Sequence, residues 1–419
     1  MLKIILFEVK KIMRSNYFYI LLAIFALLLV GYYTFVYHHT VRVEELIVDY
    51  ENRVHIQEEH IENIRDEIES SENVEKYQLQ RNLEIAEDFL STDSVILSAY
   101  KEHDWRTLLE MEIESVEESV RNIQQNQTSY LVSTHPSRFT TETLLDYYKW
   151  LYDKSIRPVF PIFYLFSWYT VYDLEFNDPM IETETKELSN KHSSAGVYFL
   201  NHVVKVSYTI FGIVAFLFLF GDILTKEGLG RNGPIHFLQT QPLSRYKMFL
   251  GKFFTLLIAS VAILLILSGI SILIGTIFDR FGHLNYPVLV YGEEYTFTFI
   301  NMSTFIFLSS LLFMLVLLFS YSVLFLFSVL AKRTLTAVGL TVATIYIGIL
   351  WSEDTIISAI SPYIPFHYFS VADIVTNTYA ATNDNFAFSL MNGSIVLIVS
   401  SLLILSLTYL LFRLQQRLS

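Results

Sequence analysis

The stretch that decides the fold is Thr225 to Phe253, TKEGLGRNGPIHFLQTQPLSRYKMFLGKF. Five of its residues are basic (Lys226, Arg231, Arg245, Lys247, Lys252) and only Glu227 is acidic. Gly228, Gly230, Gly233 and Pro234 break the chain, a short apolar piece follows at Ile235, Phe237 and Leu238, and Pro242-Leu243-Ser244-Arg245 turns it again. That piece is too short to cross a bilayer. It reads as a small helix presented between two long apolar runs, on the side of a membrane where basic residues collect.

Working outward, the composition agrees. Of 419 residues, 53% are hydrophobic and 16% aromatic, too apolar for a soluble domain of this length. No cysteine is present, which excludes disulfides and cysteine-based zinc sites. The net charge of −13 hides a segregation. Residues 38–202 hold 32 acids and 14 bases, whereas the segments assigned to the cytoplasm hold 13 bases and three acids (Glu8, Asp222, Glu227). That is the positive-inside pattern of a membrane protein, not a nucleic-acid footprint.

The expected fold class is therefore an all-α polytopic membrane protein with six transmembrane helices and both termini cytoplasmic. Residues 1–16 carry Leu2, Ile5, Leu6, Val9 and Met13 on one face and form an interfacial helix on the inner surface. Spans follow at 17–37, 203–221, 253–278, 303–331, 334–352 and 394–412. Residues 222–252 form the cytoplasmic loop and 353–393 an outer segment, re-entrant in character. Lys205 and Asp222 fall at the ends of the second span.

Residues 38–202 make a helical, coiled-coil-like extracellular domain. Val43, Ile47, Tyr50, Val54, Gln57, Ile61, Ile64 and Ile68 step 4-3-4-3-4-3-4, a heptad seam. Further runs stand at Leu79, Leu83, Ala86, Leu90 and at Leu109, Ile113, Val116, Val120, Ile123, with turns expected at 70–73 and 91–94. The aromatic stretch 158–172 is too short to span and begins with Pro158 and Pro161. It lies at the membrane interface or packs within this domain. His55 and His60 in HIQEEH are five apart, not four, so they do not share a helical face as zinc ligands do.

At the central loop the sequence resembles the permease subunits of ABC-2 type transporters. Gly233, Leu238, Pro242, Leu243, Ser244, Arg245, Gly251 and Lys252 stand where that family's pattern places them. Glu227 lies about two residues upstream of the family's acid. The resemblance implies that Glu227, Gly233, Phe237, Leu238, Pro242, Leu243, Ser244 and Arg245 couple the chain to a separate ABC ATPase subunit. It implies a second permease copy or related permease, homo- or heteromeric, and a bacterial plasma membrane. It also implies export of an amphipathic or hydrophobic cargo: an antimicrobial peptide (hence resistance to one), a lipid-like molecule or a drug. No Gly-x-x-x-x-Gly-Lys-Ser/Thr loop occurs, so ATP and Mg belong to the partner and this chain is not an enzyme. No catalytic, metal or cofactor residue is expected here. Spans three to six carry essentially no charge, which argues against an ion-coupled carrier. The alternative is a cell-surface receptor or secretion scaffold with a coiled-coil ectodomain and no transport.

Overall fold

A computed structural model gives the fold. It describes residues 2–14, 16–70, 73–125, 136–162, 168–173, 176, 178–189, 191–221, 245–331, 333–354, 356 and 359–418. The chain divides into two compact units, Met1–Phe35 with Ser194–Ser419, and Val36–Ser193.

In the first unit, α1 (Leu2–Ile12) precedes α2 (Asn16–His38). The chain returns as α8 (Gly196–Ser207) and α9 (Ile210–Phe220), then α10 (Arg245–Phe278). An antiparallel hairpin follows, β1 (Pro287–Tyr291) on β2 (Phe297–Asn301), with Pro287 opposite Asn301. Next come α11 (Met302–Leu330) and α12 (Thr334–Asp354). Two 3-10 turns and the five-residue helices α13 (Val371–Val375) and α14 (Thr378–Thr382) lead to the final helix (Leu390–Leu418), here α15.

Five of these helices, α2, α10, α11, α12 and α15, are long and apolar enough to cross a membrane, and α8 with α9 makes a sixth if the bent pair counts as one span. The core lies around α11, which packs against α15, α12, α9 and α10. Its Phe305, Leu312, Phe313, Val316, Leu317 and Leu324 are wholly buried. Outer helices such as α10 and α15 instead expose large apolar side chains (Leu265, Leu273, Leu402, Leu403), as helices in hydrocarbon do.

Three features depart from the sequence reading. The second span is not one helix: α8 and α9 meet at a 79° bend. The loop after 278 pairs as a β-hairpin, since Pro287 to Tyr291 and Phe297 to Asn301 are rich in β-branched and aromatic residues. And the described part of 353–393 carries side-chain ties that the sequence reading did not name. His367 bridges Ser361 Oγ (2.8 Å) and the Tyr379 hydroxyl (2.7 Å), while Tyr368 donates to the Pro362 carbonyl (2.6 Å).

The second unit contains α3 (Val43–Ser70), α4 (Asn73–Glu102), α5 (Trp105–Gln125), α6 (Arg138–Asp153) and α7 (Pro179–Ser189). Helices α3 and α4 run antiparallel. Arg65 meets Glu87 (2.6 Å) and Lys101 meets Glu51 (2.7 Å), while Ile61, Ile64 and Ala86 bury a seam flanked by Ile68, Leu79, Leu83 and Leu90. Every residue of the first heptad run is buried or half-buried. The turn expected at 91–94 is absent because α4 continues through it. Ser94 donates to the Leu90 carbonyl (2.6 Å), and the apolar seam resumes at the buried Ile96, Ala99 and Tyr100.

The described part of 158–172 packs inside this unit. Val159, Phe160 and Ile162 are buried, Phe160 lies against Tyr100 and Trp105, and Trp168 donates to Thr143 (3.0 Å).

Candidate functional site: an apolar cleft and a buried ion pair

The elbow between α8 and α9 organises the first site. Tyr208 caps α8, and its ring stacks on Phe313 of α11 with centroids 4.4 Å apart and planes 3° apart. Its hydroxyl is 3.0 Å from Ser310 Oγ. The Thr209 hydroxyl turns back to the Val206 carbonyl (2.8 Å), competing with continuation of the helix. Gly212 makes the bend sterically possible: a Cβ there would collide with the Ser207 carbonyl oxygen. No proline lies in 196–220, so the kink comes from these contacts.

Inside the bend lies a cleft of about 280 Å³, walled by α2, α8, α9, α10 and Phe313 of α11. Leu200 and Val204 face it from one limb, Ala215 and Leu219 from the other, and Leu264 and Leu267 from α10. No described lining residue is charged. Such a space suits hydrocarbon, because a polar group placed there without a partner costs several kcal/mol. Lys205 stands one turn before the elbow, not at the end of a span, and the field of Asp373 on α13 reaches it.

The second site joins α1 to α10. Glu8 and Lys252 form an ion pair at 3.1 Å, their side chains 2% and 6% exposed. Lys11 approaches the same carboxylate at 4.0 Å. Beside the pair, Gly251 admits Ile4: a Cβ on Gly251 would stand 2.9 Å from the Ile4 side chain. Removing Glu8 would leave Lys252 buried without this partner, a loss of about 3–5 kcal/mol, and removing Lys252 would leave Glu8 with only Lys11 at 4.0 Å. The pair therefore fixes the rotation of α1, with Ile12 buried and Leu6, Phe7 and Met13 exposed on its outer side.

Of the residues expected to couple to an ATPase, Glu227, Gly233, Phe237, Leu238, Pro242, Leu243 and Ser244 lie outside the described residues. Arg245 opens α10, two helical turns before Lys252. Sequence reasoning missed Glu8. The available signal was its place three after Ile5 and four before Ile12, an acid on the face of an apolar pair. It also missed the cleft, because a bend made by a tyrosine stack and one glycine has no proline to announce it.

No curated protein and no solved structure matches this chain. The family described as "ABC-2 family transporter protein" matches residues 16–412, from the start of α2 into the last turns of α15, with the whole Val36–Ser193 unit included. A match over nearly the whole chain, on a multi-pass bundle of apolar helices, settles the family: the chain belongs to the ABC-2 family of transporter proteins.

Proposed function

We propose that this chain is the membrane permease of an ATP-driven exporter of apolar or amphipathic cargo. The observation that carries the reading is the family match over residues 16–412. With no nucleotide-binding loop in the chain, the energy comes from a separate ABC ATPase docked on 225–253, where Glu227, Gly233, Phe237, Leu238, Pro242, Leu243, Ser244 and Arg245 form the contact. A second permease copy, identical or related, completes the transporter in a bacterial plasma membrane, with both termini on the ATPase side and the Val36–Ser193 unit outside.

The joint at Glu8 supports a mechanical role for the start of α10. When ATP draws the ATPases together, the push reaches Arg245, runs two turns along α10 to Lys252, and passes through the ion pair to α1. A buried charge pair transmits displacement because neither partner can part from the other without desolvated cost. The elbow of α8 and α9 then offers a second rearranging element, since its two limbs are separate helices.

The test is a pull-down from detergent extracts of native cells, beside a variant carrying Leu238→Ala, Pro242→Gly and Arg245→Glu. An ABC ATPase retained by the natural chain and lost by the variant supports the reading. No ATPase with either chain overturns it and leaves a surface receptor as the better account.

A further inference from the structure

We propose that the elbow cleft is a binding site for the alkyl chain of a single-chain amphiphile that enters sideways from the lipid. That this amphiphile is the cargo rests on the export reading; the binding site does not.

Size, lining and access each point to such a chain. At roughly 30 Å³ for a water-sized group, the cleft's 280 Å³ holds about nine methylene-sized groups, one chain and not two. The lining carries no charge and is mostly apolar; its hydroxyls are those of Tyr32, Ser207, Ser268 and Tyr208, the last already engaged with Ser310. Access is from the hydrocarbon side: Leu28 (64% exposed), Val206 (48%) and Phe211 (76%) stand at the rim, with the exposed Lys205 beside Val206 on α8. A chain moving from lipid into the cleft gains no hydrophobic free energy, since it leaves one apolar medium for another. What favours occupancy is contact, because an unfilled cleft forfeits dispersion along both walls. A two-chain phospholipid fills the same space only by splaying its second chain across the rim.

The walls give occupancy a consequence. Leu200 and Val204 belong to one limb of the bend, Ala215 and Leu219 to the other, so the cleft's volume depends on the angle between them. A ligand that fits the 79° geometry favours that geometry over any straighter one.

The experiment is photolabelling of the purified full-length protein in phosphatidylcholine nanodiscs. One probe is a dodecyl chain carrying a diazirine; the other is a phosphatidylcholine with the diazirine on one of its two chains, at equal mole fraction. Labelled peptides are mapped by mass spectrometry. The expected result is at least fivefold more dodecyl label on α8, α9 and the 25–32 part of α2 than on α12 and α15. Ala215→Trp, which fills the cleft, abolishes this excess, and Leu403→Trp on the exposed face of α15 preserves it. If Ala215→Trp does not fold, Ser268→Leu fills the cleft from α10 and carries the same expectation. Label spread evenly over the exposed helices, or equal yield from the two-chain probe, overturns the proposal. The triple loop variant of the pull-down keeps the dodecyl label if the site is real. Retained label on a natural chain that co-purifies with no ATPase thus breaks only the link to export, and absent label beside a co-purifying ATPase breaks only the site.

Discussion

A buried carboxylate of one unit and the buried hydroxyls of the other find their partners in different ways. In Val36–Ser193 the Asp173 carboxylate draws donors from both near and distant sequence. Ser137 N–H reaches Oδ1 at 2.8 Å, while Thr170 N–H (2.8 Å) and the Thr140 hydroxyl (2.6 Å) reach Oδ2. Among the spanning helices, several buried hydroxyls are satisfied by the turn behind them, and Ser260 reaches across to the Tyr321 hydroxyl (2.7 Å). Ser320 donates to the Val316 carbonyl (2.8 Å), Thr341 to Ala337 (2.8 Å), Ser401 to Leu397 (2.6 Å) and Thr408 to Ile404 (2.7 Å). Hydrocarbon supplies no partner to a hydroxyl, so the helix supplies one itself. The 36–193 unit can leave such bonds to tertiary structure. The difference teaches where a single polar change should matter: in the 36–193 unit widely, in the other unit only where a bond leaves its own helix.

Asp173→Ala is the hardest test of that contrast. Three buried donors lose their acceptor at about 1–3 kcal/mol each, so the unit should lose ~5 kcal/mol. Three of the four tryptophans (Trp105, Trp150, Trp168) lie in this unit, so their fluorescence during thermal unfolding reports it. A loss below ~1 kcal/mol would remove the basis of the comparison.

Lys252→Met comes next, because the Glu8–Lys252 pair links two helices of the membrane unit. Leaving the buried Glu8 with only Lys11 at 4.0 Å costs about 3 kcal/mol, enough to release α1. The chain has no cysteine, so a single Met13→Cys carries a spin label on the exposed side of α1 without further engineering. Label mobility should rise in Lys252→Met and return toward the parent value when Glu8→Gln is added. Unchanged mobility in the single variant sinks the joint.

A pH dependence sharpens the contrast from the side of the 36–193 unit. Burial pushes the Glu112 carboxyl up to about 7 and the Lys191 ammonium down to about 8, each partly offset by the other's charge. Glu112 is held neutral by the fold, so its contribution is whole below its ordinary value near 4.5 and is lost as pH rises through about 7. Lys191 contributes fully above its ordinary 10.5 and loses that contribution as pH falls through about 8. The unit should melt lowest between pH 7 and 8. In Glu112→Gln the fall between pH 4.5 and 7 should vanish, and its persistence would assign that slope to another group.

The smallest effect belongs to Ser401→Ala. The hydroxyl bonds only to its own helix, so the change should stay within about 0.5 kcal/mol by thermal unfolding in detergent. A loss above 2 kcal/mol would mean that hydroxyls here do more than satisfy themselves.

Much of this architecture was legible in residue order alone. The 4-3 steps from Val43 to Ile68 name the buried seam of α3 residue by residue, because a two-helix contact is a periodic object. The long apolar runs announce the spanning helices. Signals that depend on a distant partner were not legible. Ser91 to Ser94 read as a turn by local chemistry, and the seam it shares with α3 overrode that preference. Tyr208 looked like any aromatic in a span, and only Phe313 and Ser310, about a hundred residues on, make it a hinge pin. Glu8 looked like a stray acid until Lys252 was set against it. The coupling residues from Glu227 to Ser244 rest on the sequence pattern, since they fall outside the described residues.

The Glu8–Lys252 pair also sets a clock. Its partners are separated by about 240 residues, and a ribosome adding ~5–20 residues each second needs on the order of 10–50 s to pass from one to the other. For all that time the acid of α1 has its neighbour Lys11 but not the buried base of α10. During synthesis α1 must wait at the membrane surface, its carboxylate in water, while α2, the whole 36–193 unit and the bent pair are made. Its docking is then a late event in biogenesis, one that certifies that α10 has arrived.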